Sequence, residues 1–197
     1  WAHPEWFLLD KEGQLQYESG VPPDYFSETG QHWGNPHYNW EAMQADGFSW
    51  WLARINYLLE WVDMFRIDHF RGFEAVWMID ADSETAAEGQ WQKTPGEALL
   101  TTIRENLGDI PMIAENLGVI TAEVTALQQR FALPGMAVLQ FAFDEFEDNP
   151  HKPWNMTCET VAYTGTHDND TTAGWFSALS DDEKTHVRES LGIEPDD

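Results

Sequence analysis

Apolar residues recur at helical spacing over residues 41–62. Phe48, Trp51, Leu52, Ile55, Leu58 and Leu59 fall on one face there, with Asp46 ahead of the series as its cap. The period then shortens. Val62-Asp63-Met64-Phe65-Arg66-Ile67-Asp68 reads as a short apolar strand that ends in polar groups. Residues 73–80 are apolar and read as a helix or a short strand, and residues 81–93 as a polar, acidic loop. Pro95 opens a helix that runs to Leu107, turns Leu99, Leu100, Ile103 and Leu107 inward, and stops at Gly108. Ile110 to Ala114 is a second buried strand, ending at Glu115, and Thr121 to Phe131 a helix with Val124, Leu127 and Phe131 on one side. Ala137 to Phe141 and Val161 to Thr164 are the third and fourth strands. A closing helix begins at Ser180 with Glu183 three residues on, a capping box, and ends at Gly192.

Alternating strands and helices, with strands too apolar to show one polar face, predict an α/β protein of parallel βα units covered on both sides. Three of the four strands end C-terminally in polar clusters, where sites lie in a (β/α)₈ barrel and in an open doubly wound sheet. A closed barrel needs eight strands and typically about 250 residues. Four strands in 197 residues predict part of such a barrel, one partial catalytic domain over 1–197. A small open sheet is the alternative, but it leaves residues 1–40 unexplained. That stretch has little periodicity and is stiffened by prolines at Gly20-Val21-Pro22-Pro23-Asp24-Tyr25-Phe26-Ser27 and Trp33-Gly34-Asn35-Pro36. It is expected to be a long lid or binding loop.

Charge narrows the ligands. Ten basic against 35 acidic residues leave a formal charge of −25, which repels polyphosphates and argues against nucleic acid. With only four lysines, part of that excess reads as a solvating, salt-adapted surface. No apolar run approaches the roughly 18 residues of a membrane span and no leader opens the chain, so no membrane association is expected. The single Cys158 favours a reducing compartment, and with it the cytoplasm. Without a secretion signal, the sequons at Asn155 and Asn169 are read as coincidence. Eleven tryptophans exceed what one core of this size needs, and tryptophan outside a core commonly lines a groove for flat, partly apolar ligands such as sugar rings.

Three carboxylates, Asp68, Glu115 and Asp168, stand at three strand ends. An acid at a strand end is usually a solvated loop residue, yet three on separate parallel strands can converge on one point. Two carboxylates flanking a glycosidic bond are what glycosyl transfer requires, about 5–5.5 Å apart in the retaining geometry. Arg66 shares a strand face with Asp68 and is expected to keep it ionised, as a nucleophile must be. Glu115 follows an apolar strand with no basic neighbour, so burial should raise its pKa and suit it to general-acid work. His167 and Asp168 form a third corner, placed to hold ring hydroxyls and stabilise positive charge. A metal centre fits poorly, since neither H-x-H nor H-E-x-x-H occurs. There is no G-x-S-x-G and no glycine-rich phosphate loop.

Five ordered motifs carry a resemblance. They are Gly20 to Ser27, Trp33 to Pro36, Phe65-Arg66-Ile67-Asp68-His69-Phe70-Arg71-Gly72, Ile113-Ala114-Glu115-Asn116-Leu117-Gly118 and Thr164-Gly165-Thr166-His167-Asp168-Asn169. Together they resemble the 4-α-glucanotransferases (amylomaltase, or disproportionating enzyme) of glycoside hydrolase family seventy-seven, from Trp1 to about Phe176. The resemblance implies a retaining transferase of the α-amylase clan on a (β/α)₈ barrel, without cofactor, acting on malto-oligosaccharides or α-1,4-glucan, and no protein partner is inferable. It implies Asp68 as nucleophile, Glu115 as acid/base and Asp168 as third carboxylate. Arg66 would support the nucleophile and His167 bind the sugar at the cleavage point, with His69 and Asn116 also among the sugar-binding residues. Asp24, Tyr25 and Phe26 would lie in a loop over bound glucan, with Trp33 and Asn35 on the acceptor side. Excluding water there favours transfer over hydrolysis. Many members carry an acid where Asn116 stands, a departure that bears on the pH optimum. The family draws a further aspartate and several subsites from strands outside these residues, so the chain is expected to be an inactive fragment. A hydrolase of the same clan and a non-catalytic glucan-binding barrel are the alternatives.

Overall fold

The computed structural model describes residues 2–24, 27–109 and 111–193 of the chain. They divide into two compact units, Trp1–Leu133 and Pro134–Asp197. The fold is mixed α/β.

The first unit holds β1 (Tyr17–Val21), β2 (Gln31–Pro36), α1 (Trp40–Ala45), α2 (Ser49–Leu59), β3 (Phe65–Ile67), β4 (Ala75–Asp80), β5 (Gln90–Lys93), α3 (Gly96–Leu107), β6 (Met112–Ala114) and α4 (Ala122–Arg130). It contains one parallel pair, β3 beside β6, in the register Phe65–Met112, Arg66–Ile113 and Ile67–Ala114. Both strands are short, and their buried residues pack with those of α2, α3 and α4. Ile55, Phe65, Leu99, Leu100, Ile103, Met112 and Val124 are all buried in one cluster. Phe70, just beyond β3, is fully buried and contributes about 1.5–3 kcal/mol through the area it removes from water.

Two expectations need correction. Residues 1–40 are not one irregular loop: β1 and β2 pair antiparallel and extend into a four-stranded sheet, order β2-β1-β4-β5. Every residue of β2 from Gln31 to Asn35 is exposed, and a register shift interrupts β1 between Glu18 and Gly20. The apolar alternation that marks a half-buried strand is therefore missing. Of the span 73–80, open between helix and strand, Ala75–Asp80 is β4, and the expected loop at 81–93 ends in β5, where Trp77 faces Trp91 with ring centroids 5.2 Å apart.

The second correction is the helix over 41–62, which breaks in two at Gly47 and Phe48. Phe48 takes a left-handed backbone (φ 56°, ψ 32°), a local cost of about 1–3 kcal/mol that burial of its ring offsets. Asp46 ends α1, while its carboxylate accepts the Ser49 hydroxyl at the start of α2. Leu58 lies exposed instead of inward. The tryptophans, too, are less available than expected. Trp40, Trp50 and Trp51 pack with Tyr38 and Phe7 in a ring cluster with neighbouring centroids 5.1–6.4 Å apart.

The second unit contains β7 (Gly135–Val138) and β8 (Thr160–Tyr163), again parallel, followed by α5 (Thr172–Ala178) and α6 (Asp181–Leu191). The capping box at Ser180 and Glu183 and the left-handed Gly192 stop are both present. Helix α5 had no expectation. Among the described residues no helix is long and apolar enough to cross a membrane.

Candidate active site

Parallel pairing brings the C-terminal ends of β3 and β6 side by side, and the hydrogen bonds continue past both strands. Glu115 N–H donates to the Ile67 carbonyl, and Phe70 N–H donates back to the Glu115 carbonyl, each at 3.0 Å. Asp68 and Glu115 thus leave neighbouring strand ends. Their surroundings differ sharply. The Asp68 side chain is about two-thirds exposed and accepts an Arg66 Nη2–H at 2.6 Å, the pair expected from their shared strand face. Glu115 is buried, and both its oxygens are held by backbone: Oε2 accepts His69 N–H at 2.6 Å and Oε1 accepts Leu117 N–H at 2.7 Å.

These influences on Glu115 oppose one another. Burial penalises the charged carboxylate and raises its pKa above 4.5, and the Asp68 charge adds to that. The two backbone N–H groups and Arg66 pull it down. Burial prevails, so the direction is upward, as expected for a proton donor.

His69 follows Asp68 in a left-handed conformation (φ 49°, ψ 55°) and opens the 3-10 turn Phe70–Phe73. Its ring meets that of Trp33 edge to face, centroids 4.8 Å apart. Trp33 lies on β2, so the hairpin reaches the β3–β6 end. Burial lowers the His69 pKa to about 4, against the pull of Asp68.

Arg71 carried no expected role and is prominent here. Its guanidinium is buried, lies 3.9 Å from the centroid of Trp91, and donates Nη1–H to the Val119 carbonyl at 2.9 Å. It fastens the segment after Glu115. Only its place in the Phe65–Gly72 motif marked it in the sequence.

The other expected residues fall as follows. Asp24 accepts Ser27 N–H at its carboxylate and donates its own N–H to the Ser27 carbonyl, both at 2.9 Å. Tyr25 and Phe26 lie outside the described residues. The Asn35 carbonyl accepts the Ser19 hydroxyl at 3.2 Å, tying β2 to β1. The Asn116 amide donates to Gln128 of α4 at 3.3 Å. His167 and Asp168 belong to the second unit, both exposed, with Nε2 and Oδ1 3.4 Å apart. They sit in a turn closed by Asn169, whose Oδ1 accepts both Thr166 N–H and Oγ1–H at 2.9 Å. Among the described residues no group of three acidic, histidine or cysteine side chains could hold a metal.

A buried glutamate with a raised pKa beside an exposed, arginine-paired aspartate at parallel strand ends is a pair of carboxylates in unlike environments, of the kind that two-carboxylate carbohydrate-active enzymes use. Comparison makes the class specific. A sequence model of the family described as 4-alpha-glucanotransferase, glycoside hydrolase family 77, matches residues 1–196. The chain belongs to that family. It is 55% identical over 193 residues to a 4-alpha-glucanotransferase of Thermus thermophilus, covering 97% of this chain and 39% of the relative. It is 50% identical over 191 residues to the chloroplastic/amyloplastic 4-alpha-glucanotransferase of Solanum tuberosum, covering 97% of this chain and 33% of that one. The chain thus spans about two-fifths or less of the length of these relatives. Among solved structures it resembles the amylomaltase from Streptococcus agalactiae in complex with acarbose, with a TM-score of 0.93 and 42% identity, covering 100% of this chain and 40% of that one. The amylomaltase from Corynebacterium glutamicum shares the fold at a TM-score of 0.73 and 22% identity, over 92% of this chain and 25% of that one.

Proposed function

We propose that the protein of which this chain is part is a retaining 4-α-glucanotransferase acting on malto-oligosaccharides or α-1,4-glucan. The observation that carries the reading is the contrast at the β3–β6 end: Glu115 buried with a raised pKa, Asp68 exposed and paired with Arg66. Asp68 attacks the anomeric carbon, and Glu115 gives its proton to the departing 4-oxygen as the bond to it breaks. The 4-hydroxyl of a second glucan then attacks the glucosyl-aspartate and returns its proton to Glu115, freeing Asp68. Asp168 is the third carboxylate and His167 a hydroxyl ligand at the cleavage point. Arg66 supports the nucleophile, and Asn116 is a further sugar contact.

The same reading treats the chain as part of a (β/α)₈ barrel domain, with residues 1–40 as the region over bound glucan. Asp24, Tyr25, Phe26, Trp33 and Asn35 would lie along that glucan. The acarbose bound to the Streptococcus agalactiae amylomaltase supports a glucan-like ligand. The expected cytoplasmic location belongs to this reading as well, although the Solanum relative is named for a plastid.

Incubating the full-length protein with maltotriose tests it. Transfer gives a ladder of longer oligomers, which Asp68→Asn abolishes by several orders of magnitude. Glucose and maltose alone would mark a hydrolase, and turnover unaffected by Asp68→Asn would remove the chemistry from this site.

A further inference from the structure

We propose that His69 is a positioning residue: its left-handed backbone holds the acid/base Glu115, and its ring ties that hold to Trp33 on the hairpin. The inference rests on Glu115 being the proton donor, and it moves His69 from the sugar-binding set to the support of that donor.

Non-glycine residues take a left-handed backbone only where the surroundings hold it. At His69 that conformation aims the N–H at Glu115 Oε2, 2.6 Å away, while the next N–H, of Phe70, reaches the Glu115 carbonyl at 3.0 Å. The His69 carbonyl accepts Gly72 N–H at 2.8 Å, so the turn is closed on itself. The ring is held from two sides. Trp33 meets it at 4.8 Å and 88°, and a side chain at Gly72 would come within 3.2 Å of its Cδ2. A displaced Trp33 removes one of those supports, and the backbone that holds Glu115 is the next thing free to move.

The ring acts here as a neutral aromatic body. Asp68 and Arg71, on its own segment, are the charges acting on it, and burial keeps it unprotonated down to about pH 4. Around Glu115 the charges are Asp68 and Arg66, both on β3 or its end. Trp33 brings none from the hairpin. A change at His69 therefore reaches Glu115 through the backbone hydrogen bond, which favours the ionised form.

The test compares His69→Asn with His69→Val in the full-length protein, reading kcat/KM against pH with maltotriose as donor and the KM for glucose as acceptor. Asn accepts a left-handed backbone and Val resists it. The Asn variant should keep the alkaline limb of the wild type while the acceptor KM rises several-fold, because the ring is gone. The Val variant should move that limb upward by roughly one pH unit, the scale of one charge-assisted hydrogen bond, and lower kcat by roughly a hundredfold through misplacement of the acid. If Val fails to fold, His69→Ala, which also resists a left-handed backbone, replaces it and should show a smaller upward shift of the limb, with His69→Gly as its control. Gly keeps the backbone and loses the ring, so the expected result is the Asn pattern. Identical limbs in Asn and Val, or in Gly and Ala, or an acceptor KM that neither Asn nor Gly changes, overturn the inference. A wild-type protein that makes no ladder from maltotriose removes the proposed activity and this inference together. A normal ladder with unmoved limbs removes this inference alone.

Discussion

Helix α3 begins on a glycine and is followed by another, and the two should resist alanine for different reasons. At Gly96 a β-carbon would stand 1.9 Å from the Phe73 carbonyl oxygen, 2.6 Å from its carbon and 2.7 Å from its Cβ. Two of these are backbone atoms that no rotamer change can move. Regaining ordinary contact requires the start of α3 and the turn over Phe70–Phe73 to part by about 1.5 Å. Overpacking of this kind costs about 1–3 kcal/mol, and alanine returns roughly 0.5–1 kcal/mol through its lower chain entropy in a helix. The net loss for Gly96→Ala should be about 1–2 kcal/mol, read as a lower Tm. The turn that must move is the one His69 opens, so kcat for maltotriose disproportionation should fall as well. Gly108 has a left-handed φ of 81° and nothing within 4 Å of a β-carbon. With ψ −161° this is backbone that only glycine adopts readily, so Gly108→Ala should cost the backbone term alone, about 1–3 kcal/mol, and leave kcat alone. Thermal unfolding and initial rates on the full-length protein decide it. A Gly96→Ala protein with wild-type Tm and kcat, or a Gly108→Ala protein whose kcat falls, would refute the packing.

Three further outcomes follow from the site. Glu115→Gln should gain thermal stability relative to wild type as pH rises. A raised carboxyl pKa means the folded state keeps its proton, so stability is full below 4.5 and lost as pH rises through the folded value, a loss the amide escapes. A Tm gap that does not widen between about pH 4 and pH 8 would contradict this. Arg71→Met removes the stack on Trp91 and the bond to the Val119 carbonyl, and should lower stability by about 1–2 kcal/mol. Unchanged Tm together with unchanged Trp91 fluorescence would show that Arg71 does not hold the segment after Glu115. Trp33→Ala should raise the KM for glucose roughly tenfold, about 1.4 kcal/mol, with little change in Tm because Trp33 is exposed. An unaltered acceptor KM would detach the hairpin from the acceptor.

The parallel strands and their polar ends were legible because burial on both faces leaves an uninterrupted apolar run, as in Met112–Ala114, and the first polar residue after it marks the end. Helices α3, α4 and α6 were legible from spacing and stop signals, and the closing capping box from Ser180 and Glu183. What escaped was set by backbone shape or by distant neighbours. Phe48 and His69 are ordinary L-residues that take left-handed conformations through tertiary contact, and no residue type announces that. One of them split a helix, and the other supplies one of the two backbone hydrogen bonds that hold Glu115. The pairing of Arg66 with Asp68 needed only their two-residue spacing. Arg71 and Val119, 48 residues apart, needed the fold.

The sheet that joins the hairpin to β4 also sets an order of assembly. Tyr17 pairs with Asp80 and Gly20 with Trp77, so β1 lacks its inner neighbour until some 60 more residues have been made. At about 5–20 residues per second, that is a wait of several seconds on the ribosome. An isolated two-stranded hairpin is marginal in water, and a long apolar one would be a hazard as an open edge. This hairpin is exposed along β2, carries Pro36 at its end and is irregular in β1. The polar composition that hides these strands from pattern reading is thus what lets them wait unpaired, without recruiting another chain, until β4 arrives.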